Sequence, residues 1–162
     1  MPDRSLDSLS AAFYSPACEW IARVTARGVA VLIVQTSRTT AEHQINLAVG
    51  TSGTSLSWHL PRRLRMPTLL GLDPTLGADI DKADALDLAP YDVYQLHGPD
   101  KLRWDPQDPA WSIIGEEAER LGLRWGGRWR EPFDPGHAEL VLPVKRQYLV
   151  AERARPWPTF RA

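Results

Sequence analysis

The chain has 162 residues, 43% hydrophobic and 24% charged, which is the size and make-up of one globular domain with its own core. Its 19 Lys and Arg nearly balance 20 Asp and Glu, which argues against a basic surface for nucleic acid. The single cysteine, Cys18, excludes an intrachain disulfide, and no apolar run approaches the roughly 18 residues of a membrane span.

Leu6 to Arg27 reads as a helix, because Leu9, Phe13, Ala17, Trp20, Ile21 and Val24 recur at spacings of three and four. Cys18 within it reads as a small core residue, and Gly28 as the stop. The residues before it are mixed in charge and do not form a signal peptide. The chain is therefore expected to be made and kept in the cytoplasm, unless it leaves by lysis or an unconventional route. VAVLIVQTS, from Val29, is a short apolar run rich in β-branched residues and predicts a buried strand. Thr39 or Thr40 then caps a second helix that ends at Gly50.

Thr51 to Lys82 predicts a long loop with short extended pieces. ADALDLAPY, from Ala83, reads as a strand that stops at Pro90, and residues 92–105 as irregular. DPAWSIIGEEAERLGL is a third helix with Asp108 as its cap and Pro109 in its first turn. LRWGGRW suggests a strand broken at Gly126 and Gly127, and HAELVLPV a final alternating strand. Helices and strands come in separate blocks, which predicts an α+β fold: a small antiparallel sheet with helices on one side. One domain spanning 1–162 is expected.

Four histidines are present: His43, His59, His97 and His137. His137 follows Asp134 by three residues in DPGHAEL, where the carboxylate could serve as a base toward a metal-bound water. The same DPG is strong turn chemistry and also fits an exposed turn. His59, in SLSWHLP, sits beside a Trp and fits a structural role as well as a chemical one. Asp87 lies inside an apolar strand, where a carboxylate is costly to bury unless paired or bound to metal. It shares a strand face with Ala85. Asp73, Asp79, Asp81 and Asp84 lie in more polar sequence and are expected to be solvated. Two His and one Asp would give three zinc ligands with a fourth position open, the catalytic pattern.

These residues together resemble the zinc D-alanyl-D-alanine carboxypeptidase and L-alanyl-D-glutamate endopeptidase family, to which many phage endolysins belong. Its pattern is an early Arg and Gln, then S-x-H-x-x-G-x-A-x-D, then W-G-G-x-W, then an acid-x-x-H. Here SRTTAEHQINLAVGTS supplies Arg38 and Gln44, SWH supplies Ser57 and His59, and DALDLAPY supplies Asp87. LRWGGRW matches closely, and DPGHAEL supplies Asp134 and His137. The resemblance covers about Val29 to Leu142.

The resemblance implies a hedgehog/DD-peptidase-like fold and a Zn2+ cofactor held by His59, Asp87 and His137. It implies Asp134 as catalytic base, and Arg38, Gln44, Ser57 and Trp125 as substrate-binding residues. The substrate would be the stem peptides of bacterial peptidoglycan, cut at an L-Ala–D-Glu or D-Ala–D-Ala bond by a monomer. Glu139, two residues beyond His137, would support that ligand.

One departure stands out. The family's motif holds its His and Asp close together, whereas here they stand 28 residues apart, and Met66 occupies the position where an unbroken motif would put the Asp. An insertion of about 21 residues, located at about 60–83, accounts for the gap, and loops of that length close at little extra entropic cost. Two other readings follow: a module that binds peptidoglycan without cutting it, and a zinc hydrolase that uses His97 in place of His59.

Overall fold

The computed structural model describes residues 1–52, 57–65, 79–94 and 101–141. The helix expected from Leu6 divides in two: a 3-10 turn over Leu6–Ser8, then α1 over Ala11–Ala26. Two serines cause the break. Ser5 accepts the backbone N–H of Asp7, and Ser10, with extended backbone, accepts that of Phe13, so each starts its own helical piece. Gly28 stops α1 at φ +84°. Cys18 is half-buried.

The described strands are β1 (Val31–Gln35), β2 (Ala85–Pro90), β3 (Arg124–Trp125) and β4 (His137–Glu139). They form one antiparallel sheet in the order β1-β2-β4-β3. The final described strand stops at Glu139, and the part of HAELVLPV from 142 onward lies outside the described residues. The other helices are α2 (Thr40–Ala48), α3 (Arg62–Arg65) and α4 (Ala110–Arg120). Thr39 and Glu42 form a capping box on α2. Asp108 accepts the N–H of Ala110 to start α4.

Strand alternation gives the sheet two working faces. Leu86, Leu88 and Ala138 point into the core with Phe13, Ala17, Trp20 and Val24 of α1 and Trp111, Ile114 and Ala118 of α4. Trp20 Nε1 donates to the Ile114 carbonyl at 2.8 Å and ties the two helices together. Asp87, His137 and Glu139 alternate with these residues and so face the other way. The predicted α+β architecture, with helices on one side of the sheet, is what the chain forms. No described helix is long and apolar enough to cross a membrane.

Trp125 belongs to the core face. Its ring lies against Gly115 of α4, where an added Cβ would stand 2.4 Å from a ring carbon, and its Nε1 donates to the Pro135 carbonyl at 2.8 Å. Gly115→Ala gains about 1 kcal/mol of helix propensity, but overpacking a held ring costs about 1–3 kcal/mol. The variant is therefore expected to unfold at a lower temperature than wild type; a higher melting temperature by circular dichroism would contradict this packing.

Candidate metal centre

Three segments deliver the central residues. β2 presents Asp87, and β4 presents His137 directly opposite it in the register. The third is the turn at 57–60, which brings His59, only 2% exposed. That turn is fixed at the exit of β1: Arg38 N–H donates to the His59 carbonyl at 2.9 Å, and the His59 ring meets the Thr36 carbonyl at 2.6 Å. Asp87 Oδ1 lies 3.0 Å from His59 Nε2 and 2.9 Å from His137 Nδ1, and those two nitrogens are 3.2 Å apart.

The outer hydrogen bonds decide which ring nitrogens carry protons. The Thr36 carbonyl can only accept, so His59 Nδ1 must donate. The Glu139 carboxylate, 2.9 Å from His137 Nε2, takes that donor in turn. In the neutral rings the lone pairs of His59 Nε2 and His137 Nδ1 then both face Asp87 Oδ1. Three electron-rich atoms converge with no proton between them, an arrangement that calls for a cation. Ligands of a tetrahedral zinc at about 2.0–2.1 Å stand about 3.3 Å from one another, close to the separations here. The donor set and its outer partners, a carbonyl on one His and a carboxylate on the other, therefore fit a zinc ion. His59, Asp87 and His137 form the one such group among the described residues.

Charge around the cluster is graded. Burial pushes the Asp87 carboxyl up, but when the facing His59 and His137 rings are protonated their charge and hydrogen bonds outweigh it and hold the carboxyl below the ordinary range. Burial and the neighbouring Asp87 push Asp134 up, against the pull of His137, His59 and Arg38. Burial lowers the Arg38 guanidinium, while Asp87, Asp134 and Glu42 favour its charge. Arg124 pairs with Glu139 beside His137.

The glycines of WGG have a clear purpose here. A Cβ on Gly126 would stand 2.4 Å from the Asp134 carbonyl oxygen and 3.2 Å from the His137 Cβ. The Asp134 N–H also donates to the Gly126 carbonyl at 3.2 Å. Gly126 thus lets the DPGH turn close onto β3 and sets Asp134 beside His137. Trp129 packs its ring 5.0 Å from that of His137.

Arg38 joins the cluster through Gln35, whose Oε1 accepts from its Nε at 3.0 Å. An irregularity between Ile33 and Gln35 shifts the β1 register, so that Gln35 pairs with Asp87 and Ile33 with Leu88. Without that bulge Gln35 would sit opposite Leu86 on the core face. The structure does not bring Gln44 into the cluster; it is exposed on α2. Ser57 accepts the His59 N–H at 3.3 Å. Trp125 faces the core, and Arg124 is the β3 residue that shares the Glu139 side. His97 lies outside the described residues.

Asp84 departs from expectation. It is fully buried rather than solvated, and Arg62, Arg65 and Ser10 all donate to its carboxylate. Of the other acids expected to be solvated, Asp79 and Asp81 make exposed contacts, and Asp73 lies outside the described residues.

Residues 82–140 match the family model described as D-alanyl-D-alanine carboxypeptidase. The matched family is the one the sequence resembles. The match takes in Asp87, Trp125, Asp134 and His137 but begins after His59, which the fold delivers to the same point. The chain is also similar to a solved structure, the L-Ala D-Glu endopeptidase ChiX of Serratia marcescens. They share 16% identity and a TM-score of 0.54 over 91% of this chain and 92% of that one, which shows a common fold. No curated protein matches the sequence. The likeness to a carboxypeptidase family thus covers the segment that carries Asp87, Asp134 and His137.

Proposed function

We propose that this chain is a zinc-dependent peptidase that hydrolyses stem-peptide bonds of bacterial peptidoglycan, of L-Ala–D-Glu or D-Ala–D-Ala type, within one domain. The observation that carries the proposal is the convergence of His59 Nε2, Asp87 Oδ1 and His137 Nδ1, all lone-pair donors, with Asp134 beside them. Zinc, when bound, supplies a Lewis acid that acidifies water and polarises a carbonyl.

The chain's own groups do the rest. Asp134 accepts the proton of the attacking water and returns it to the departing amine. Burial and Asp87 raise its proton affinity, which suits a group that must take a proton and give it back. Gln35 holds one edge of the Arg38 guanidinium, and the other edge receives a substrate carboxylate. Glu139 fixes the tautomer of His137, and the Thr36 carbonyl fixes that of His59.

Purified chain loaded with zinc should be incubated with peptidoglycan and the products read by mass spectrometry. New L-alanine carboxyl ends paired with new D-glutamate amino ends support an endopeptidase; loss of a terminal D-alanine supports a carboxypeptidase. Zinc-loaded chain that binds peptidoglycan and leaves every bond intact contradicts the proposal in favour of a binding module.

A further inference from the structure

The insertion separates His59 from Asp87 in the sequence, yet the two side chains meet. Something must close the loop between them. The first residues of the insertion and its last ones are joined by backbone bonds: Arg62 N–H to the Lys82 carbonyl at 3.1 Å, Arg63 N–H to Ile80 at 2.9 Å, and Asp84 N–H to Trp58 at 3.1 Å. At the centre of this seam the fully buried Asp84 receives Arg62 as a fork, Nε on Oδ2 and Nη2 on Oδ1, both at 2.8 Å. Arg65 also bonds Oδ2, and Ser10 Oγ bonds Oδ1 at 2.6 Å.

Arg65 reaches further. Its Nε donates to the Leu60 carbonyl at 2.6 Å, and its guanidinium lies 4.7 Å from the centre of the Trp58 ring. It therefore holds the residues immediately before and after His59. Asp84 stands three residues ahead of Asp87 on the same segment. Burying three charged groups is costly, so the cluster is weak evidence for net stability.

We propose that the Asp84–Arg62–Arg65 cluster is the clamp that closes the insertion and positions His59 against Asp87. This rests on the metal-site reading above. The three are positioning residues, and the property they govern is the affinity of the site for its ion.

A comparison inside the same chain separates positioning from plain structure. Glu117 of α4, also buried, gathers Arg27 at 3.0 Å and Arg120 at 2.6 Å, and none of its described ion pairs reaches a segment carrying the site. Metal-free full-length chain should be titrated with zinc against a chromophoric chelator, for wild type, Asp84→Ala, Arg65→Met, Arg65→Lys and Glu117→Ala. Circular dichroism at the assay temperature shows which variants are folded.

Disturbing a residue that orients a ligand costs roughly 10- to 100-fold in metal affinity, and that loss is expected for folded Asp84→Ala. Arg65→Met, which leaves Arg62 on Asp84, is expected near the lower end and carries the test if Asp84→Ala does not fold. Arg65→Lys should recover part of the loss, and Glu117→Ala should bind zinc as wild type does. Folded Asp84→Ala or Arg65→Met with wild-type affinity overturns the clamp, as does an equal loss in Glu117→Ala. A wild type that takes up no zinc overturns the metal reading itself.

Discussion

Replacing Asp134 with Asn is expected to slow peptide hydrolysis by roughly 100- to 10,000-fold, the usual contribution of a positioned general base, while zinc affinity stays near that of wild type. Asn matches Asp in size and leaves the backbone bonds of the turn in place: Asp134 N–H to Gly126, and His137 N–H to Asp134, each 3.2 Å. What it removes is a carboxylate whose proton affinity burial and Asp87 have raised. The charge environment of His59 and His137 also changes, but neither ligand loses a hydrogen bond to it. Steady-state rates on a defined stem peptide, with zinc content measured on the same samples, test this. A rate within tenfold of wild type would remove Asp134 from the chemistry.

The second large effect concerns the histidine that the insertion displaces. His59→Ala is expected to weaken zinc binding by more than the roughly 10- to 100-fold seen for outer partners of a ligand, and to abolish hydrolysis. The loss is greater because a donor disappears from a set of three, and the Thr36 carbonyl is left without its partner. His97→Ala is expected to leave both properties intact. Metal analysis after dialysis against a chelator, followed by zinc add-back, reads the difference. Normal zinc uptake by His59→Ala together with loss in His97→Ala would exchange the roles of the two residues.

The fold was legible where burial imposes a period. Phe13, Ala17, Trp20 and Val24 announce α1 by their spacing, and all four are buried in the core. Asp87 was legible as a misfit within an apolar strand, and His137 through its spacing from Asp134. Boundaries set by single side-chain caps were less so: Ser10 divides the first helix, and its hydroxyl competes with continued helix in a way periodicity does not register.

The supporting residues of the site were harder to read, because they depend on register and on backbone groups. Gln35 and Gln44 flank Arg38 in the sequence, and only the irregularity in β1 turns Gln35 toward Asp87. The resemblance implied a substrate-binding role for Trp125; its pairing with Ala138 puts it on the core face and leaves Arg124 opposite Glu139. The carbonyl of Thr36, which sets the tautomer of His59, carries no sequence signal. Asp84 looked solvated among polar neighbours; its burial depends on Arg62 and Arg65 from the far end of the insertion. Basic residues in PRRLR were the available clue, and pairing them with one acid required the loop to be closed.

Anomalous scattering at the zinc edge, from a crystal of the zinc-loaded chain, tests the metal centre most directly. A single strong peak within about 2.0–2.2 Å of His59 Nε2, His137 Nδ1 and an Asp87 carboxylate oxygen is the expected result. A peak held by other side chains, or none at these three in a zinc-loaded crystal, would contradict it.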